Sequence, residues 1–321
     1  MRVLVTGASG LLGRATAEAI RAAGHQVRTF QRRPSGVPGA EEVLGSLTDK
    51  DAVARAADGM EAVVHLAAKV SLTGSPAEFV AVNVGGTSAL LRAAESSAVR
   101  RFVYVSSPSV AHTGSSIVGE GAGTADPVHA RGDYARTKAE AELLALGADS
   151  RQLAVVAVRP HLVWGPGDTQ LVGRIVERAR AGRLPRLGSG AALIDTTYVD
   201  NAASALAAAL ERAEDVHGRA YVVTNGEPRP VAELMSGICR AAGVRAPAWS
   251  VPAGVARAAG GAVEAVWRFR PGRDEPPMTR FLAEQLSTAH WFDQRATRRD
   301  LQWAPQVSID EGLRRLAASY R

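Results

Sequence analysis

Residues 2–13 read Arg2-Val-Leu-Val-Thr-Gly-Ala-Ser-Gly-Leu-Leu-Gly13, a short apolar run that ends in three evenly spaced glycines. Val3, Leu4 and Val5 are apolar over too short a span for a helix, so they predict a buried strand. Gly7 permits a tight turn, Gly10 lets phosphates approach the backbone, and Gly13 lets the next helix lie close on the strand. The stretch Leu11 to Ala23 is helix-compatible, and its first turn offers unpaired N–H groups and a positive dipole end to an anion. A glycine triplet alone is weak evidence. Strand, glycines and helix in this order predict a dinucleotide site.

The rest of the first half repeats the alternation. Strands are predicted at Arg2–Thr6, Gln26–Gln31, Glu42–Leu44, Ala62–Leu66, Phe102–Ser106 and Ala154–Arg159. Helical patterns lie between them near Leu11–Ala23, Asp51–Ala57, Ala77–Ser96 and Arg131–Leu146, with Asp49 or Asp51 as a cap and Pro76 at a helix opening. Near-continuously apolar strands alternating with helices predict an α/β, doubly wound parallel sheet covered on both faces. After Pro160 the pattern is less regular: helices at Asp168–Gly182, Ala202–Arg212 and Val231–Ala242, a strand at Ala220–Thr224, and helical spacing over Val251–Phe269 near Arg257, Arg268, Arg270 and Arg273. This divides the chain into a nucleotide-binding domain of residues 1–160, to which 196–224 return, and a smaller, mostly helical substrate lobe of 161–195 and 225–321. The lobe is expected over the carboxyl ends of the strands, where open α/β sheets bind ligands.

Composition narrows the function. A chain of 321 residues with 46% hydrophobic and 22% charged residues can bury a large core, as a globular enzyme does. The net charge of +6 comes almost wholly from arginine, for only Lys50, Lys69 and Lys138 are lysines. The arginines are scattered and form no basic, aromatic-interleaved module, so no nucleic-acid partner is expected. The single Cys239 excludes an intrachain disulfide, and histidines without ligand spacing imply no metal. The first strand leaves no room for a signal peptide and no apolar run is long enough to span a bilayer, so a cytoplasmic location is expected. The Val251–Phe269 stretch is read first as a helix packed on its own lobe, with a lipid shelter or peripheral membrane contact as the alternative.

The chemistry concentrates in Tyr134-Ala-Arg-Thr-Lys138, which sets a phenol and an ammonium on one helical face. A lysine charge is expected to lower the phenol from its usual pKa of about 10, so that it exchanges a proton with an alkoxide or alcohol. Upstream, Phe102-Val-Tyr-Val-Ser-Ser-Pro-Ser109 ends a strand in three serines that compete to donate to a substrate carbonyl.

Together with Val64-His-Leu-Ala-Ala68, Asn83-Val-Gly-Gly-Thr87, Ser107-x-x-Val110 and Arg159-Pro-His-Leu-Val-Trp-Gly-Pro-Gly167, these motifs make a chain that resembles the extended short-chain dehydrogenase/reductase family over nearly its whole length. His161-Leu-Val-Trp-Gly-Pro-Gly-Asp168, Ile194-Asp-Thr-Thr-Tyr-Val-Asp-Asn201 and Pro277-Met-Thr-Arg-Phe281 are most similar to its 3β-hydroxysteroid dehydrogenase branch, which includes reductases of long-chain β-keto acids. The resemblance implies a Rossmann sheet and a catalytic trio of Ser107, Tyr134 and Lys138, with Ser107 chosen over Ser106 and Ser109 by its register. It implies cofactor contacts from Gly7, Ser9, Gly10, Leu11, Leu12, Gly13, Arg32, Arg33, Ser46, Leu47, Leu66, Ala67, Ala68, Lys69, Pro160, His161 and Val163, besides Tyr134 and Lys138. Ser107, Pro108, His161 and Trp164 are the expected substrate wall, Asn83 belongs to the motif set, and a homodimer through the helices near 77–96 and 131–146 is the family expectation.

The cofactor is expected to be NADP(H), with NAD(H) as the alternative. An NAD-selective chain places an acid at the end of the second strand, where this one has Gln31, Arg32 and Arg33. Arginine holds a 2′-phosphate through forked, charge-assisted bonds, and Arg32 is the favoured contact. Ser46-Leu47 stand where relatives often carry an aspartate toward adenine, a departure that weakens that contact. The leading expectation is hydride transfer between nicotinamide and a ketone or secondary alcohol of a bulky apolar substrate. A nucleotide-sugar epimerase or dehydratase with bound NAD is the alternative, and a cofactor-sensing regulator the third.

Overall fold

The computed structural model describes residues 1–70, 74–112, 114–267, 284 and 286–321, without the side chains of 264–267. Seven parallel strands form the central sheet: β1 (Arg2–Thr6), β2 (Gln26–Gln31), β3 (Glu41–Leu44), β4 (Ala62–His65), β5 (Arg101–Val105), β6 (Ala154–Pro160) and β7 (Arg219–Val223). Their order is β7-β6-β5-β4-β1-β2-β3, so the chain reverses direction across the sheet between β1 and β4. That reversal leaves a crevice at the carboxyl ends of the two strands, directly beside the glycine turn.

Both faces are covered, which is why the strands lack polar alternation. Val3, Val5, Val64, Val103 and Val156 point to one side, against α1 (Leu11–Ala22) and α6 (Val199–Val216). Leu4, Phe30, Val63, Phe102 and Val155 point to the other. There they meet α2 (Lys50–Ala57), α3 (Gly86–Ser96) and α4 (Gly132–Gly147). A fully buried Val, Leu or Phe contributes about 1.5–3 kcal/mol, so this double layer dominates stability. Local signals agree: Asp49 accepts from the N–H groups of Asp51 and Ala52, each at 3.1 Å, and Pro76 opens its helix after the Ser75 cap. Asp51 lies within the first turn of α2 and does not cap it.

A third buried cluster gathers Trp164, Val172, Ile175, Tyr198, Met235 and Ile238, built with α5 (Leu171–Arg180) and α7 (Val231–Ala241). A small mixed sheet joins Ile117–Glu120, Leu193–Ile194, Arg229–Pro230 and His290–Phe292. Helix α8 (Ala253–Trp267) carries out the expected helical spacing, but its packing is sparse. Ala256 meets Leu187, whereas Val255 and nearby Trp249 are 57% and 49% exposed. The Pro277–Phe281 motif and Arg268, Arg270 and Arg273 lie outside the described residues. Among the described residues, no helix is long and apolar enough to cross a membrane.

Candidate active site

Gly7 turns the chain out of β1 with φ +77°, and its N–H donates to Phe30 O on β2 at 2.9 Å. A Cβ there would press on the Ala67 backbone at 2.9 Å, so the turn and the loop after β4 need glycine to lie together. Ser9 and Gly10 are exposed, and α1 begins at Leu11 with no side-chain cap and no acid in its first turn. Its free N–H groups therefore remain for an anion. Leu11 and Leu12 are half-buried and pack toward the cluster of Trp164 and Ile238, while Gly13 is buried against Gly7.

Across the reversal, a directed chain of hydrogen bonds fixes the loop after β4. Ala67 N–H donates to Thr6 Oγ1 (3.0 Å), and Thr6 Oγ1 donates to His65 Nδ1 (2.8 Å). His65 Nε2 donates to Thr87 Oγ1 (3.0 Å), which donates to Asn83 O (2.6 Å). Burial, seconded by the Lys138 charge, pulls His65 down to about 3, so the ring is neutral and this one tautomer satisfies every partner. The Asn83 side chain accepts from Lys69 N–H at 2.7 Å and donates to Lys69 O and to Thr137 Oγ1 on α4. Asn83 sits in a π-helical turn, Val80–Gly85, between Pro76–Phe79 and α3, where Gly86 N–H reaches back to Ala81 O. Leu66, Ala67 and Ala68 are half-buried along this loop, and the Lys69 ammonium pairs with Glu78 at 3.0 Å.

The three serines separate by role. Ser106 continues the β5 ladder, its N–H on Val158 O, and its buried Oγ has no partner. Ser107 is half-buried, ends the strand and caps the short turn Pro108–Ala111. Its Oγ accepts from Ser109 Oγ at 3.0 Å and is hydrogen-bonded with Tyr134. Lys138 is 3% exposed; its Nζ donates to Val105 O at 2.7 Å and lies 4.1 Å from the Tyr104 ring centre.

One expectation is overturned. The Tyr134 phenol is pushed up to about 12 by burial, partly offset by the Ser107 hydrogen bond, and is not lowered by lysine. Lys138 itself falls to about 7 because burial outweighs the pull of Glu142. Lys138 has left water, its ammonium turned to a carbonyl and a ring face, whereas Tyr134 is half-buried. In this state the pair consists of a protonated phenol and an amine whose charge burial disfavours, suited to giving a proton.

At the end of β2 stands Gln31, whose amide N–H groups donate to Thr29 and Glu42 while its buried Oε1 has no partner among the described residues. Arg32 and Arg33 follow, exposed and without an ion pair among the described residues. Ser35 donates through N–H (2.7 Å) and hydroxyl (2.8 Å) to Glu42, fastening the turn that carries both arginines. Ser46 Oγ is paired with Thr48 Oγ1 at 2.8 Å, and Leu47 is buried beneath Gly86.

At the other wall, Pro160 ends β6 beside Val223, and half-buried Val163 pairs with Thr197. His161 Nδ1 donates to Asp195 O at 2.7 Å, and burial pulls the ring down to about 4. Trp164 does not line a cleft: it is 0% exposed, donates to Thr196 Oγ1 at 2.9 Å and stacks edge-on against Tyr198. Pro108 is buried as well, so of the four expected wall residues Ser107 is the most open. The sequence did not reveal that His161 shares a cluster with Phe292 (5.1 Å between rings), His290 and His112. Gly114 N–H donates to His112 Nδ1, so His112 gives its Nε2 proton to His290 at 2.9 Å. Only tertiary structure brings these three segments together.

Fold and site define a nicotinamide-dependent oxidoreductase of the short-chain type. The model of the NAD dependent epimerase/dehydratase family matches residues 3–224, more than half of the chain, and the chain belongs to that family. It is 44% identical over 99% of both chains to the 2-alkyl-3-oxoalkanoate reductase of Stenotrophomonas maltophilia. It is 33% identical to the 3 beta-hydroxysteroid dehydrogenase/Delta 5-->4-isomerase of Mycobacterium tuberculosis, over 97% of this chain and 88% of that one. The crystal structure of gox2253 superposes with a TM-score of 0.81 at 26% identity, covering 99% of this chain and 97% of that one.

Proposed function

We propose that the protein is an NADP(H)-dependent ketoreductase for a bulky, largely apolar ketone, with 2-alkyl-3-oxoalkanoates as the leading class. The observation that carries it is the approach of Ser107, Tyr134 and Lys138 at the carboxyl edge of β5, across from the uncapped start of α1. The dinucleotide fits the residues present. Gly10 leaves a cradle in which an added Cβ would meet only Gly7 O, at 3.5 Å, and Gln31 Oε1 is an orphaned acceptor for a ribose hydroxyl. Arg32 and Arg33 supply cations for a 2′-phosphate; β2 ends in Gln31 and not in an acid, and the Glu42 carboxylate beside it is taken up by Ser35 and the Gln31 amide.

A bound reduced nicotinamide supplies hydride to the carbonyl carbon. Ser107 Oγ holds the carbonyl oxygen, and Tyr134 Oη delivers its proton to that oxygen as the C=O π bond opens, leaving an alcohol. A phenol held near 12 remains fully protonated at neutral pH and gives its proton only as alkoxide charge develops. Lys138 offers a positive charge to the resulting phenolate. The His65 and Asn83 hydrogen bonds hold the Ala67–Lys69 backbone at one setting against α4.

The test mixes purified protein with NADPH and β-keto acids, ketosteroids and aromatic polyketide ketones. NADPH oxidation that Tyr134→Phe abolishes supports the reading. Copurifying NAD with turnover of a nucleotide sugar replaces it with an epimerase or dehydratase. Arg32→Ala should lower the NADPH-over-NADH preference at least tenfold, and an unchanged ratio removes the NADP assignment.

A further inference from the structure

Tyr134, Lys138 and Glu142 follow one another at four-residue steps along one face of α4. Glu142 and Arg159 are each 1% exposed, and Arg159 grips the carboxylate with two nitrogens, Nε on Oε2 at 2.9 Å and Nη2 on Oε1. Its remaining nitrogen, Nη1, donates to Ala122 O and to Gly123 O. Removing two charges from water costs several kcal/mol per ion, and apolar side chains of that size would fasten β6 to α4 as well. Stability alone is therefore a poor reason for the pair. Its position supplies a better one.

Around Lys138 stand Tyr134 and Glu142 on its own helix, Tyr104 from β5, His65 from β4, and Arg159 from β6 behind Glu142. Tyr104 is pushed far up by burial and His65 is neutral, so neither brings charge at neutral pH. Glu142 is the carboxylate that acts on the amine. We propose that Glu142, clamped by Arg159, is a positioning residue that supplies the counter-charge to Lys138, so that the buried pair sets how fully that amine is charged. The consequence for catalysis rests on the function proposed above. The coupling itself does not.

With only three lysines in the chain, the test is direct. The full chain is labelled at lysine Cε with 13C and titrated by NMR, the Lys138 signal being assigned by its loss in Lys138→Met. Glu142→Gln removes the anion and leaves Arg159 facing the amine, so the Lys138 midpoint should fall by about one unit. Arg159→Met leaves the anion unneutralised, so the midpoint should rise by about as much. Opposite signs are the signature of a charge device; shifts in one direction, or no shift in Glu142→Gln, overturn the proposal. If Arg159→Met does not fold, Arg159→Lys replaces it: an unmoved midpoint with a lowered melting temperature supports the proposal, and a midpoint shifted as in Glu142→Gln refutes it. A kcat–pH profile on NADPH and a β-keto acid runs in parallel. Midpoints that shift in opposite directions over an unmoved profile support the coupling and count against the proposed role of Lys138 in turnover.

Discussion

Gly13→Ala and Gly10→Ala separate what the glycine loop does for the fold from what it does for the cofactor. A Cβ on Gly13 would stand 2.2 Å from Gly7 O, 2.7 Å from Gly7 C and 3.0 Å from Ala8 Cα, against the 3.4 Å at which ordinary contact begins. All three atoms are backbone, and Gly7 is held by hydrogen bonds to Phe30 O and from Gly10 N–H, so no side chain can swing aside. The start of α1 must move by about 1 Å, a displacement that costs on the order of a hundredfold where geometry is critical. Gly13→Ala should therefore weaken NADPH binding by about a hundredfold, or about 2.8 kcal/mol. It should also lower the melting temperature through about 1–3 kcal/mol of overpacking. On Gly10 the Cβ stays 3.5 Å from Gly7 O, so Gly10→Ala should melt as wild type and still lose affinity, because the methyl enters the space of the phosphates. The assay is NADPH fluorescence titration beside calorimetry. Wild-type affinity in both variants would refute the placement of the pyrophosphate on α1.

Four further outcomes are expected. Tyr134→Phe should cut kcat about 10²–10⁴-fold with little change in NADPH affinity, since only the proton is lost. Asn83→Ala should cost about 2–3 kcal/mol in urea unfolding and raise the KM for cofactor, because the Lys69 N–H loses its acceptor. Lys138 sits near 7 when folded against an ordinary 10.5, so the unfolded chain binds the extra proton and stability rises as pH climbs from about 7 toward 10.5. That rise should be missing in Lys138→Met when urea midpoints at neutral pH and about pH 9 are compared. Leu143 and Leu144 stay 42% and 38% exposed on α4, where we propose that two copies meet; light scattering should then give twice the chain mass for wild type and the chain mass for Leu144→Glu, and a monomeric wild type would refute the proposal.

How much could be read from residues alone depends on chain distance. The limits of β1 were legible to the residue because a strand buried on both faces is a continuous apolar run between turn signals; those of β2 were legible too, although Arg28 and Thr29 make its run mixed. Leu193–Ile194 and Arg229–Pro230 were not, since two residues have no periodicity. The Tyr134–Lys138 spacing was plain, but the direction of their shifts depends on burial, which spacing does not encode. Trp164 resembled a cleft residue because it comes just after a strand end; its partner Thr196 lies thirty-two positions away and draws it inward. The histidine cluster joins segments as far apart as 112 and 290, beyond any local pattern.

The π-helical turn at Val80–Gly85 has a consequence for how this segment tolerates change in length. Such a turn holds one residue more than an α-helical one, and deleting that residue would restore regular winding. Everything before the deletion would then swing about 100° around the helix axis relative to α3, carrying the Asn83 amide off Lys69 and Thr137. Between Ser75 and Ser96 the arithmetic of the chain is thus under tighter constraint than most of its spelling: a substitution on the outer face passes, whereas a single-codon gap unseats the loop that follows β4.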